Sequence, residues 1–203
     1  MPADAGIAAI VLAAGASRRF GEDNKLLALV DGRPLIARVV NALSIGGVAD
    51  IIVVTGHDGS NVEATLRGRP VRFVPNESWR TGMGSSIAAG AAALDDGVTG
   101  AFVVPGDMPL LSPQLIAALI SAFEANKHEK IIYPATTAGE QRNPVLWPRR
   151  HFGALLSLPP EKGAKALLQL VTSECVAVVA TDAVLSDIDT PAQLGAARKA
   201  PRA

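Results

Sequence analysis

The chain has 203 residues, of which 49% are hydrophobic and 19% are charged. This length predicts one domain with a self-sufficient core, and the apolar content excludes a disordered chain. Lys+Arg and Asp+Glu both number 19, so the formal net charge is zero, without the basic excess that is typical of nucleic-acid-binding proteins. We therefore expect no nucleic-acid partner. The single cysteine also excludes an intramolecular disulfide and a cysteine-rich metal site.

Short apolar runs alternate with helical patterns along the chain. Strands are predicted at residues 7–12, 51–54, 71–74, 101–104, 130–134 and 175–180. Helices are predicted at residues 34–43, 85–94, 113–123, 149–157, 162–171 and 191–199. The first, second and fourth strands are apolar throughout, which is typical of parallel strands that are covered on both faces. The alternation predicts a single α/β domain over residues 1–203, with three Rossmann-like layers and a mostly parallel sheet.

The first apolar run, residues 7–12, is too short for a signal core or a membrane span, and no basic segment precedes it. We therefore expect a cytoplasmic protein with no membrane contact.

The topology predicts where a ligand binds. If the strand order follows the common 3-2-1-4 pattern, the order reverses between the first and fourth strands, and ligands bind at such a point beyond the carboxyl ends of the strands. The loop that begins at Ala13 and the loop that contains Gly106 and Asp107 should then face each other across one crevice. Asp107 ends an apolar strand there, and we expect its carboxylate to be exposed and to bind a metal ion rather than cap the next helix, for which Ser112 is the better residue.

The loop after the first strand, here called the glycine loop, covers residues 12–25 and reads LAAGASRRFGEDNK. Its small residues allow backbone N–H groups to approach a phosphate closely, and Arg19 and Lys25 add positive charge. The spacing of Gly15 and Gly21 matches neither the dinucleotide fingerprint nor the P-loop. A surface turn rich in glycine and arginine is the alternative interpretation.

Five motifs together resemble one family. They are LAAGxSxRFGxxxK in the glycine loop, NExWxxGMGSS at residues 76–86, GDMP at 106–109, NPV at 143–145 and DIDTP at 187–191. Their order and content resemble the MobA-like nucleotidyltransferases, and within them the molybdenum cofactor cytidylyltransferases. Relatives that use GTP typically have Leu-Ala-Gly-Gly where this chain has Leu12-Ala13-Ala14-Gly15, so the resemblance favours CTP. It implies transfer of CMP from CTP to a molybdopterin-type phosphate acceptor, with release of pyrophosphate.

The resemblance also implies roles for particular residues. Arg19 and Lys25 would hold the triphosphate, Asp107 would act with them in catalysis, and Asp107 and Asp189 would bind Mg²⁺, with Asp187 as the second choice. The implied nucleotide-binding residues are Leu12, Ala13, Ala14, Gly15, Ser17, Arg19, Lys25, Asn76, Gly82, Gly84, Ser85 and Ser86. An ordinary glycine turn with a serine cap is the other interpretation of the last four.

The implied division places the nucleotide in residues 1–110 and the acceptor in residues 111–203, with Asn143 and Lys165 as acceptor-binding residues. Lys165 stands where relatives often have arginine, so the planar fork that binds phosphate with two hydrogen bonds is lost. Trp79 is expected either to stack on a pterin or to cover its loop. Three alternatives remain: a GTP-using relative, a transferase with a sugar-phosphate acceptor, and a non-catalytic chaperone that delivers molybdenum cofactor to a hydroxylase. Transient contact with a molybdenum hydroxylase is a further expectation.

Overall fold

A seven-stranded sheet forms the middle layer of the protein. The computed structural model describes residues 6–17, 20, 24–188 and 190–197. The strands are β1 Ile7–Ala13, β2 Leu29–Val30, β3 Arg33–Pro34, β4 Asp50–Thr55, β5 Arg72–Pro75, β6 Gly100–Pro105, β7 Ile131–Ala135, β8 Val145–Pro148 and β9 Cys175–Val179. The sheet order is β5-β4-β1-β6-β8-β7-β9, and β2 and β3 form a separate small hairpin. Only β8 runs antiparallel to its neighbours in the main sheet.

Helices cover both faces of this sheet. They are α1 Leu35–Ile45, α2 Gly59–Thr65, α3 Met83–Ala92, α4 Pro113–Ala125, α5 Phe152–Leu156, α6 Ala164–Leu170 and α7 Pro191–Ala197. Helix α4 begins as expected, because the Ser112 hydroxyl accepts a hydrogen bond from the Leu115 N–H at 3.2 Å. No helix within the described ranges is long and apolar enough to cross a membrane.

Successive residues of β1 point into two different cores, because side chains alternate across a strand. Val11 packs with Ile36 of α1 and Ile116 of α4 in one buried cluster. Ile10 packs on the opposite face with Ile87 of α3 and Leu155 of α5 in another. A strand covered on both faces must be apolar at nearly every position, which is why β1 reads as a continuous apolar run.

The predicted α/β class, the three layers and the mostly parallel sheet are confirmed, and β5-β4-β1-β6 reproduces the expected 3-2-1-4 order. The less apolar third strand is β5, which lies at an edge of the sheet and places Arg72 against Asp50 at 2.5 Å. Three features were not predicted, namely α2, β8 and the β2–β3 hairpin. The predicted helix at 149–157 begins as a 3₁₀ turn, Arg149–His151, before α5.

Candidate active site

The glycine loop and the loop after β6 meet at the carboxyl ends of two neighbouring parallel strands. The Gly106 N–H donates to the Leu12 carbonyl at 3.1 Å, which joins the two loops directly. A Cβ at Gly106 would come within 2.9 Å of that same carbonyl oxygen, so the close approach requires glycine. The crevice expected between the first and fourth strands is therefore present.

Lys25 and Asp107 form the central contact of this crevice. Lys25 lies in the 3₁₀ turn Lys25–Leu27, which Asn24 caps by accepting a hydrogen bond from the Leu26 N–H. Its Nζ lies 2.5 Å from Oδ2 of Asp107, and it donates a second hydrogen bond to the Ile188 carbonyl at 2.9 Å. The Ile188 N–H in turn donates to the Asp107 carbonyl at 3.0 Å. Hydrogen bonds at Asp107 thus join the segments around Lys25, Asp107 and Ile188, which are distant from one another in sequence.

The carboxylate of Asp107 is mostly buried, with 14% of its side chain exposed. The expectation of an exposed carboxylate is therefore wrong, because Lys25 and the Ile188 segment cover it. Burial raises the pKa of Asp107, and the negative charge of Asp187 adds to this effect, while Lys25 opposes it. Among the described residues, Oδ1 of Asp107 has no hydrogen-bond partner. A buried carboxylate oxygen left without a partner is costly, which is consistent with a site that is completed by a ligand.

The carboxylates of Asp107 and Asp187 fit a magnesium site that takes part of its coordination from the substrate. Across the described ranges, no three His, Cys, Asp or Glu side chains gather into a preformed metal cluster. Mg²⁺ usually binds to one or two protein carboxylates and takes its other ligands from water and phosphate oxygens. Asp107, with its unpartnered oxygen, and the neighbouring Asp187 can supply that number. Asp189, the predicted second ligand, lies outside the described residues, as does Arg19.

A first cleft of about 570 Å³ opens over this contact. It is lined by Leu12, Ala14, Gly15, Ala16, Ser17, Lys25, Leu26, Trp79, Arg80, Gly82, Met83, Ser86, Pro105, Gly106, Asp107, Asn143 and Asp187. Most of the predicted nucleotide-binding residues are therefore brought to one cavity. Among the described residues that were predicted in the glycine loop, Ala13 is the exception, since its side chain is buried in the core.

Asn76 forms hydrogen bonds with three serines near the first cleft without lining the cleft itself. Its amide Nδ2 donates to the hydroxyls of Ser85 at 2.9 Å and Ser86 at 3.0 Å, and its Oδ1 accepts from the Ser78 N–H at 3.0 Å. Asn76 is buried, and neither it nor Ser85 lines the cleft. Of this group, only Ser86 is placed where its side chain reaches the cavity.

Gly84 belongs to the packing of α3 rather than to the cavity surface. Its N–H donates to the Pro160 carbonyl at 2.9 Å, so this donor is already used within the protein. A Cβ at this position would lie 2.2 Å from the Pro159 carbonyl oxygen and 2.6 Å from that of Lys162. Glycine is needed here because the segment at residues 159–162 passes directly over the start of α3.

An aromatic group forms one side of the first cleft. The guanidinium of Arg80 lies 4.4 Å from the centre of the Trp79 ring, and the His57 ring lies 5.2 Å from it at a tilt of 51°. A Cβ at Gly56 would approach both Trp79 and the methyl group of Ala14 to 2.8 Å, so both side chains lie against Gly56. Trp79 therefore lies against the residue that follows β4 and also lines the first cleft, but it does not line the second cleft described below. Arg80 was not predicted as a site residue.

A second cleft of about 540 Å³ adjoins the first. The two share Leu12, Met83, Pro105, Asn143 and Asp187. Both predicted acceptor-binding residues, Asn143 and Lys165, line the second cleft, although α6 brings Lys165 there from a separate segment. Polar side chains of Thr136, Gln141 and Arg142 surround a partly apolar floor, and these three were missed because no local motif marks them.

Two adjoining clefts at the point where the strand order of a parallel sheet reverses are typical of α/β nucleotide-binding proteins. A family model described as the MobA-like NTP transferase domain matches residues 9–175. The chain belongs to this family.

Curated relatives match only in part. Nicotine blue oxidoreductase of Paenarthrobacter nicotinovorans is 37% identical over 87 residues, which is 43% of this chain and 43% of that protein. Bifunctional protein GlmU of Staphylococcus epidermidis is 30% identical over 160 residues, 77% of this chain and 34% of GlmU. The chain thus spans less than half the length of these relatives.

Solved structures confirm the fold over nearly the whole chain. Rv0371c from Mycobacterium tuberculosis H37Rv superposes with a TM-score of 0.80 at 24% identity, covering 98% of this chain and 100% of that one. A complex of Rv0371c with manganese gives a TM-score of 0.69 at 23% identity, covering 86% and 89%. CMP:2-keto-3-deoxy-manno-octonic acid synthetase complexed with CTP gives 0.72 at 17% identity, covering 95% and 97%.

Proposed function

We propose that this protein transfers CMP from CTP to a phosphate-bearing acceptor of the molybdopterin type and releases pyrophosphate. The observation that carries the proposal is the Lys25–Asp107 contact, which lies in the first cleft beside the residues that the second cleft shares with it. A nucleotide in the first cleft and an acceptor in the second would meet beside this contact. An acceptor phosphate is already anionic, so the reaction needs positioning and charge stabilisation rather than a general base.

The glycine loop suits the triphosphate of the nucleotide. Gly15, Ala16 and Ser17 line the first cleft with small residues, which leaves backbone N–H groups accessible to phosphate oxygens. Lys25 supplies a compact positive charge that can move from Asp107 to the nucleotide, and Arg19 is proposed to hold the outer phosphates.

The base is proposed to lie beside Ala14, Gly82 and Ser86, which line the first cleft, and the methyl group of Ala14 favours a pyrimidine. The methyl group of Ala14 lies against Gly56 beside Trp79, and this position is glycine in the relatives that use GTP. Gly82 and Ser86 form the other wall and can offer hydrogen bonds to the base. One neighbour of the same fold has been solved with CTP, which is compatible with this choice of nucleotide.

Divalent metal would be held by Asp107 together with Asp187 or Asp189. When bound, Mg²⁺ supplies neutralisation of the phosphate charge that develops as pyrophosphate leaves. Lys25 orients Asp107 while no substrate is present and favours its charged form, whereas burial raises its pKa.

The second cleft suits a flat heterocycle that carries a phosphate. Its floor includes the apolar side chains of Val103 and Trp147, while Asn143, Arg142 and Lys165 provide donors at its edge. A polar edge around an apolar floor would orient the acceptor so that its phosphate points towards Asp187 and the first cleft.

The test measures pyrophosphate release with molybdopterin and Mg²⁺ when CTP, GTP, UTP or ATP is supplied. CTP is expected to be the preferred donor by at least about tenfold, the discrimination that pocket shape can provide. Asp107→Asn should abolish release, while the matched control Asp96→Asn should not, because the Asp96 side chain is fully exposed near the opposite end of β6. Binding of molybdopterin without pyrophosphate release from any nucleotide would favour the chaperone instead.

A further inference from the structure

Arg80 is exposed at the first cleft but is stacked on an aromatic ring. It lies in the 3₁₀ turn Trp79–Thr81, and its guanidinium stacks over the Trp79 ring at 4.4 Å. Trp79 is itself fixed by His57 on one side and by the contact with Gly56. A cation over an indole face is attracted by the ring, so the arginine loses less conformational freedom when it binds a ligand.

The charge of Arg80 is also available to a ligand. Of the described side chains that line the first cleft, Lys25 and Arg80 are the cations. Lys25 is paired with Asp107, whereas Arg80 forms no ion pair with any carboxylate in the described part of the chain. Arg80 can therefore donate hydrogen bonds to a ligand without breaking an internal ion pair.

The segment that carries Arg80 is the one to which the proposed function assigns the base. Gly82 and Ser86 follow on the same turn and helix, and Trp79 and Ala14 both lie against Gly56. Lys25 and Asp107 come from the two loops assigned to the phosphates and the metal ion. Arg80 is accordingly a neighbour of the base rather than of the reacting phosphate.

We infer that Arg80 reads the edge of the cytosine base and is the residue that discriminates CTP from UTP. The inference rests on the proposed use of CTP. Cytosine presents two adjacent hydrogen-bond acceptors, O2 and N3, which match the paired N–H donors of a guanidinium. Uracil carries a hydrogen at N3, so one donor of Arg80 would face another donor. Guanine also presents two adjacent acceptors, so Arg80 would not exclude GTP. We assign the exclusion of GTP to the methyl group of Ala14.

The experiment measures the affinities of Mg·CTP and Mg·UTP by isothermal titration calorimetry for the wild type, Arg80→Met and Arg80→Lys. Arg67→Met is the matched control, because Arg67 is exposed and lies away from both clefts. Loss of one bidentate base contact should lower the CTP:UTP preference by about 10- to 100-fold, mainly through weaker CTP binding. Arg80→Lys should fail to restore the preference, because lysine keeps the charge but not the planar fork. Arg67→Met should leave it unchanged.

Equal weakening of CTP and UTP in Arg80→Met, with recovery in Arg80→Lys, would overturn the inference, since it would show a contact to phosphate. An unchanged CTP:UTP ratio would overturn it as well. A wild type that binds neither nucleotide would overturn the proposed function itself, and that result is distinguishable because it precedes any substitution.

Discussion

Removal of Lys25 should affect both stability and catalysis, and the effect on stability should depend on pH. In Lys25→Ala, the mostly buried carboxylate of Asp107 loses its cation and faces Asp187 alone. Exposed ion pairs are worth about 0–1 kcal/mol, and breaking a fully buried pair costs about 3–5 kcal/mol. The side chains here are 15% and 14% exposed, so a loss of about 2 kcal/mol is expected. For a chain of this length that corresponds to a decrease in Tm of about 4–8 °C.

The sign of the pH dependence follows from the direction of the pKa shift. Burial raises the pKa of Asp107 and Lys25 partly offsets this, so the substitution should raise that pKa further. A carboxyl group with a raised pKa in the folded state makes the fold less stable as the pH rises through that pKa, because the charged form is disfavoured. The Tm difference between Lys25→Ala and the wild type should therefore be largest near neutral pH and shrink towards acidic pH, where Asp107 is protonated in both proteins.

The assay combines thermal melts over this pH range with steady-state kinetics. We expect kcat to fall about 100-fold or more, the effect of losing one preorganised electrostatic contact, while the CTP affinity falls less. Lys130→Ala serves as the control, because the hydrogen bond from Lys130 to the Ser173 carbonyl is long and exposed and Lys130 lines neither cleft. A Tm difference that stays constant with pH would refute the electrostatic reasoning, and an unchanged kcat would refute the role of Lys25 in transfer.

Three further substitutions test other parts of the site. Asp107→Asn should reduce pyrophosphate release by about 1000-fold or more, because the amide keeps the shape of the side chain but binds metal poorly. Circular dichroism should show an intact fold. Retained metal-dependent turnover would contradict the assignment of Asp107 as a metal ligand. Ala14→Gly should relax the CTP:GTP ratio of kcat/KM by about tenfold, and an unchanged ratio would point to other residues for size selection. Gly84→Ala should destabilise the protein by about 1–3 kcal/mol in denaturant melts, because the Cβ of the alanine would overlap the Pro159 carbonyl. An unfolding midpoint equal to that of the wild type would show that the segment at residues 159–162 moves aside.

Several features could be read from the sequence because they depend on local pattern. Continuous apolar runs indicated strands covered on both faces, and β1, β4 and β6 are such strands. Proline and serine at residues 112–113 marked the start of α4. Strand β8 was missed, although one signal was present: residues 136–144 are too few for a crossover helix, so a strand that follows them must run antiparallel to β7.

The sequence by itself determined the chemistry that is available: a glycine loop with cations, a carboxylate after an apolar strand, and polar residues in the second half. Only the tertiary structure decided which of these groups meet. Lys25 and Asp107 are 82 positions apart, and their contact depends on β1 lying beside β6 in the sheet. Arg80 is an unspecified position within the motif at residues 76–86, and its place in the first cleft depends on Trp79 packing against Gly56 just after β4. Local patterns reflect interactions between near neighbours in the chain, whereas burial, ion pairing and cavity shape arise from contacts between distant segments, which no short pattern encodes.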